Sequence, residues 1–184
     1  MAHGTSDFPQ RLRIGAVCTL VGWASCAGAA WALDPAPAQW LLHTGGLSHH
    51  FEPTHAAGRQ WNEQHPGLGL ERRETDRTDW HWRQSVGIVQ DSRSVWGGYA
   101  GASLMTEWRT PGTASVGVGL GAFAFYRSVS WSGRRAWVPA LLPTLSLGLL
   151  DDRLGVNLMV VPPIGTDGER RPALVFVQMT YRMQ

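Results

Sequence analysis

Ala173-Leu174-Val175-Phe176-Val177-Gln178-Met179-Thr180-Tyr181-Arg182-Met183 is the stretch whose reading decides the fold. Taken every second residue, one face is Ala173, Val175, Val177, Met179, Tyr181 and Met183, and the other is Leu174, Phe176, Gln178, Thr180 and Arg182. Period-two alternation of this kind marks an extended strand with two unlike faces. An apolar face backed by a mixed one suits a strand that stands between lipid and a lumen.

Seven further segments carry the same signal, more faintly. They are Trp40 to Phe51, Pro66 to Glu74, Trp80 to Val89, Val95 to Trp108, Ala114 to Tyr126, Trp137 to Leu149 and Leu154 to Val161. In the fifth of the eight, Gly117, Gly119 and Gly121 alternate with Val118, Leu120 and Ala122. The sixth reads as broken by Pro139 and Pro143. The connections sort by length. Thr75 to Asp79, Thr110 to Thr113 and Asp151 to Arg153 are short, whereas Glu52 to His65, Arg127 to Ala136 and Pro162 to Pro172 are longer. Outer-membrane barrels have short periplasmic turns and longer outer loops, and eight strands starting on the periplasmic side reproduce that order. The expected fold is therefore all-β, an eight-stranded antiparallel transmembrane β-barrel of the Gram-negative outer membrane. A soluble lipocalin-like barrel is the alternative.

The N-terminal part agrees. Arg11 and Arg13 precede a small, apolar run from Ile14 to Ala30, and Ala30-Trp31-Ala32 fits a cleavage site, with Ala27-Gly28-Ala29 as a second choice. This is the pattern of a secretory signal, so residues 1–32 are expected to be removed and 33–184 to form a single barrel domain. The run is at the short end for a spanning helix. Trp23-Ala24-Ser25-Cys26 is a poor lipoprotein box because Trp stands where Leu is usual. Both cysteines, Cys18 and Cys26, lie within the signal, which takes disulfides, thiol chemistry and cysteine metal sites out of the mature chain. All 16 basic residues are Arg and the net charge is only +2, too balanced for a nucleic-acid footprint. The 10 Trp are more than a water-soluble core of this size uses, and they suit aromatic girdles at two membrane interfaces.

Strand topology gives chemistry to a second stretch, Gly87-Ile88-Val89-Gln90-Asp91-Ser92-Arg93-Ser94-Val95-Trp96. By itself Asp-Ser-Arg-Ser is an ordinary turn. In the barrel, however, strand one rises to end at His49-His50 and strand three rises to end at Asp91-Ser92, so both ends reach the same rim. A His, an Asp and a Ser there could supply general-base, nucleophilic or oxyanion-stabilising groups for acyl chemistry, with the individual roles open.

These residues resemble the PagP family, the lipid A palmitoyltransferases of Gram-negative outer membranes, over about residues 40 to 183. The likeness is carried by the His at the end of strand one and by Asn62-Glu63 with Pro66-Gly67-Leu68-Gly69-Leu70-Glu71-Arg72. It continues through Trp80-His81, Asp91-Ser92 with Trp96, Pro139-Ala140-Leu141-Leu142-Pro143 and Val161-Pro162. The resemblance implies transfer of a palmitoyl-type chain from a glycerophospholipid to lipid A in the outer leaflet, with the acyl chain held inside the barrel. No cofactor is implied. The partners would be the phospholipid donor, the lipid A acceptor and outer-membrane lipid, with no nucleic acid and a monomer as the expected state.

By the same resemblance His50 (or His49), Asp91 and Ser92 are the catalytic candidates. Pro66 would flank one lateral entry for lipid, and Pro143 with Pro162 another. Gly101 or Ser103 would floor the acyl pocket. The family's N-terminal amphipathic helix has no counterpart in the short, Pro-rich segment Leu33 to Gln39.

His43, His55, His65 and His81 lack metal-ligand spacing and read as interface or loop residues, so no metal is expected. The tryptophans of the strands read as girdle residues rather than as a sugar-stacking platform. Arg59, Arg93, Arg127, Arg134, Arg135, Arg170 and Arg171 fall at predicted outer connections, as a solvated rim or as contacts to lipid A phosphates. Two other functions stay open: a lipid A deacylase or outer-membrane lipase, expected to carry its His and Ser on one strand, and a barrel adhesin without catalysis.

Overall fold

The computed structural model describes residues 38–52, 54, 58–75, 79–110, 113–163 and 172–183. The expected signal, the short segment before strand one as far as residue 37, His55, Arg170 and Arg171 lie outside the described residues.

Eight strands follow in order: β1 Ala38–His50, β2 Gln64–Glu74, β3 His81–Gln90, β4 Trp96–Thr110, β5 Ala114–Ser128, β6 Arg135–Leu149, β7 Leu154–Val161 and β8 Leu174–Arg182. Each pairs antiparallel with the next, and β8 returns to β1, closing the barrel. Closure joins the first strand to the last, as hydrocarbon demands of a sheet crossing it. The links 51–63, 91–95, 129–134 and 162–173 lie at one end, and 75–80, 111–113 and 150–153 at the other. The end with the longer links is the outer one.

The outward positions are Leu47, Leu68, Ile88, Leu120, Leu141 and Leu149, all exposed and large. In water that area would be a severe liability, whereas in a bilayer it is the lipid contact. Trp96, Tyr126 and Trp137 form an aromatic girdle near the outer end, and Trp40, Trp82, Trp108 and Tyr181 form one near the inner end. The protein is an outer-membrane β-barrel.

Two strand details position the site. At Thr44 to Gly46 the register of β1 shifts against both β2 and β8. Gly45 is obligatory there, because a Cβ on it would overlap the carbonyl oxygen of His65. Pro66 sits on β2 opposite this bulge, yet pairing resumes at Gly46–His65 and Leu47–Gln64, so the β1–β2 seam stays closed.

The β6–β7 seam differs. The sequence reading breaks this strand at Pro139 and Pro143, but β6 is continuous through both, because its ladder to β5 runs unbroken from Arg135 to Leu149. The break falls on its other side. Pairing of β6 with β7 stops at Thr144–Met159, leaving Arg135 to Pro143 without a β7 partner. Pro143 stands where that ladder ends and Pro162 follows the end of β7, and neither can donate an N–H to extend it.

The lumen is divided by level. Its inner half holds His43, Glu71, Arg73, His81, Arg83 and Glu107, all buried. His43 Nε2 lies 3.1 Å from Glu71, Arg73 lies 3.1 Å from Glu71, and Arg83 bonds Glu107 and, at 3.0 Å, Ser146. His43, His65 and His81 thus point into the lumen, correcting their reading as interface or loop residues. Alternation gives which side a residue faces, not the polarity of the lumen at that level. The outer half is apolar, lined by Phe123, Phe125, Val138, Leu142, Met159 and Phe176.

Candidate functional site

Period two in β1 turns Ser48 and His50 inward and Leu47 and His49 outward. His50 is 2% exposed, whereas the His49 side chain is largely in solvent beside Phe51. The ring of His50 stacks on Trp61 at 5.3 Å and 10°. Trp61 belongs to the β1–β2 link, which is pinned to the β3–β4 turn by Asn62 N donating to Ser92 O at 2.9 Å.

Ser92 Oγ lies 3.1 Å from His50 Nε2. The turn that presents Ser92 is built by Asp91. Its Oδ1 accepts from the backbone N–H of Arg93 at 2.8 Å and of Val95 at 3.0 Å, and its Oδ2 from that of Ser128 at 2.9 Å. Asp91 is therefore the anchor of the turn, a role open to Asp by its reach to nearby backbone, and among the described residues it bonds no histidine. The carboxylate beside His50 is Glu63, whose Oε1 is 3.8 Å from Nδ1 and accepts from the His50 backbone N–H at 3.1 Å.

A further chain of hydrogen bonds sets the protons of His50. His65 Nδ1 is 2.8 Å from the carbonyl of Gln90, which can only accept, so this nitrogen carries the proton. In a neutral ring Nε2 of His65 then accepts, and Ser48 Oγ donates to it at 2.8 Å. The lone pairs of Ser48 Oγ face His50 Nδ1 across a long 3.5 Å. His50 thereby holds its proton on Nδ1 and presents a bare Nε2 to the hydroxyl of Ser92. That is the tautomer a general base requires.

Above the dyad lie Trp61 and Trp131, 5.4 Å apart, with the Arg93 guanidinium 5.7 and 5.2 Å from their ring centroids. Arg59 lies over the Trp131 ring at 5.2 Å. These two tryptophans cover the site and take no part in the girdles. Both sit in loops, where no strand periodicity points them. Arg93 is buried and Arg127 half-buried, both turned to the site, while Arg134 and Arg135 are exposed.

Below Ser92 opens the main cavity, lined by Asp91, Ser92, Tyr99, Phe123, Phe125, Leu142, Met159 and Phe176 and ending on His43, Glu71, Arg83 and Ser103. From the Gln90–Trp96 pair at the rim to the Arg83–Ser103 pair, β3 descends seven positions. At about 3.3 Å each and a tilt of about 40°, the depth is about 18 Å. Ser103 lines the cavity, whereas Gly101 is covered by the ring of Phe123, which a Cβ there would overlap. Val138, Ala140 and Leu142, on the part of β6 that lacks a β7 partner, line the same cavity. Pro143 and Pro162 therefore flank the stretch of β6 that has no β7 partner, while Pro66 flanks a paired seam. Among the described residues no group of three or more His, Cys, Asp or Glu is placed to hold a metal ion.

Sequence reasoning put His50 and Ser92 at one rim but passed over Ser48, Glu63, His65 and Trp61. Only Glu63 carried a signal, through its place in the PagP-like Asn62-Glu63 pair.

No protein-family model matches the chain, and no curated protein matches it. Among solved structures the chain is similar to the N-terminal β-barrel domain of OprF from Pseudomonas aeruginosa, with a TM-score of 0.47 and 13% identity, covering 82% of this chain and 100% of that one. It is similar also to the attachment invasion locus protein Ail of Yersinia pestis, at 0.42 and 12%, covering 79% and 97%. Neisserial surface protein A follows at 0.41 and 9%, covering 79% and 96%. At these values the likeness assigns no activity.

Proposed function

We propose that this barrel is an acyltransferase that moves a long acyl chain from a glycerophospholipid to lipid A in the outer leaflet. The observation that carries the reading is the Ser92–His50 hydrogen bond, set in the required tautomer at the mouth of an apolar cavity. The resemblance of this chain's motifs to the PagP family supports the substrate pair, and the stretch of β6 without a β7 partner, flanked by Pro143 and Pro162, supplies a route from the bilayer.

In this reading the donor's acyl chain lies in the lumen with its ester at Ser92. Ser92 Oγ attacks the carbonyl while its proton passes to His50 Nε2, and that proton leaves on the lysophospholipid alkoxide. A lipid A hydroxyl then attacks the acyl-Ser92 ester, giving its proton to His50, which returns one to Ser92 Oγ as the acyl bond to serine breaks. Glu63 and Ser48 steady the imidazolium and its orientation, while Trp61 and Trp131 keep water from the ester.

A deacylase would use the same first half with water as acceptor. A barrel adhesin is the second reading, favoured by the exposed Phe51, Arg59, Arg134 and Arg135 at the outer end. Mass spectrometry of lipid A from cells expressing the wild type or Ser92→Ala separates the three. A gain of one acyl chain with the wild type alone is the expected result. Loss of a chain means deacylation, and no change with folded protein and surface phospholipid present removes the enzyme reading.

A further inference from the structure

Two arginines reach the site, and they are differently placed. Arg93 donates through Nη1 to Ser128 O at 3.0 Å and lies over two indole rings. Arg127, at the outer end of β5, follows the inward positions Phe123 and Phe125. It lines the main cavity and also a smaller one shared by His50, Ser92, Pro162 and Pro172. Its Nε is buried and has no hydrogen-bond partner among the described residues. The carboxylate whose charge acts on it is Asp91, but both oxygens of Asp91 are already bonded to backbone N–H groups of the turn. A guanidinium nitrogen held out of water without a partner is costly. An arginine in that state, beside a nucleophile, is half of an ion pair.

The two cavities say where the other half comes from. A lipid tail in the apolar cavity, with its ester at Ser92, carries its headgroup past Arg127 toward Pro162. We propose that Arg127 binds the phosphate diester of the donor lipid, and so selects a phospholipid over a neutral glyceride. The planar fork of Arg suits phosphate better than a lysine does. This assignment rests on the acyl-transfer reading of the same site, which it extends to the donor's headgroup.

The test uses the full barrel in maltoside micelles with two donors of equal acyl chains, a phosphatidylglycerol and a diacylglycerol. The ratio of kcat/KM for phospholipid to that for diacylglycerol is expected to fall about tenfold or more in Arg127→Gln. Arg127→Lys is expected to recover part of it. An unchanged ratio overturns the proposal, whatever the absolute activity. In a second arm, binding of hexadecylphosphocholine, which has the phosphate diester but no ester to cleave, is read by tryptophan fluorescence. About tenfold weaker binding in Arg127→Gln supports the proposal, and equal binding overturns it. A wild type that transfers from neither donor defeats the acyl-transfer reading, while the binding arm still decides Arg127.

Discussion

Ser48→Ala tests the proton arrangement of the site without touching substrate. Ser48 Oγ bridges His65 Nε2 at 2.8 Å and His50 Nδ1 at 3.5 Å, and it lines neither cavity. Its removal leaves the Nδ1–H of a buried ring with Glu63, 3.8 Å away, as the nearest acceptor. A buried donor left short of its partner costs about 1–3 kcal/mol. The ring can relieve part of this by moving the proton to Nε2, where it opposes Ser92 and cannot accept from it. Taking about 1–2 kcal/mol as the loss for the productive tautomer, kcat falls about 5- to 30-fold with KM nearly unchanged. Ser48→Thr, which restores the hydroxyl, is expected to stay within about threefold of the wild type. The assay is acyl transfer at saturating donor, paired with nitrogen-15 NMR of labelled His50, whose two ring nitrogens separate by tautomer. The wild type should show the proton on Nδ1, and Ser48→Ala a growing share on Nε2. A variant with wild-type kcat and an unchanged His50 spectrum would refute the reasoning. So would an equal loss in Ser48→Thr.

Two further outcomes follow from the lumen. Ser103 lines the end of the cavity, so Ser103→Met should shorten the acyl chain transferred, as read from the mass of the product. An unchanged chain length with full activity means that the floor lies elsewhere. Glu107 lies within ion-pair distance of Arg73 and His81, both at 3.6 Å, bonds Arg83, and meets Arg109 at 2.9 Å. Glu107→Ala strands Arg83 at the inner end, whereas Arg73 keeps Glu71 and Arg109 keeps Asp152, and should lower unfolding stability by about 3–5 kcal/mol. Urea unfolding in lipid vesicles measures it, and a loss below about 1 kcal/mol would show the cluster to be rehydrated without penalty.

The barrel was legible because its signals are local. A strand facing lipid must place an apolar residue at every second position, and an outer-membrane barrel sorts its links by side, so residues 173–183 and the connection lengths carried the fold between them. The up-and-down order of the strands sent His50 and Ser92 to one rim although they are 42 residues apart. The prolines of β6 were legible as interruptions, but not on which side of the strand they act, since the ladder to β5 and the ladder to β7 use the same backbone.

What tertiary structure alone decided is the identity of the partners around that pair. Whether Asp91 or Glu63 stands next to His50 depends on how the link 51–63 folds back onto the β3–β4 turn, and no periodicity governs a loop. The link from His50 through Ser48 to His65 depends on the register of β1 against β2, which shifts at Gly45. Arg127 was visible as a rim residue, but the histidines of the lumen were read as interface or loop residues, because their burial follows only from closure of eight strands around them. Side-chain alternation is set residue by residue, whereas contacts across a lumen are set by the shear and bulges of the whole sheet.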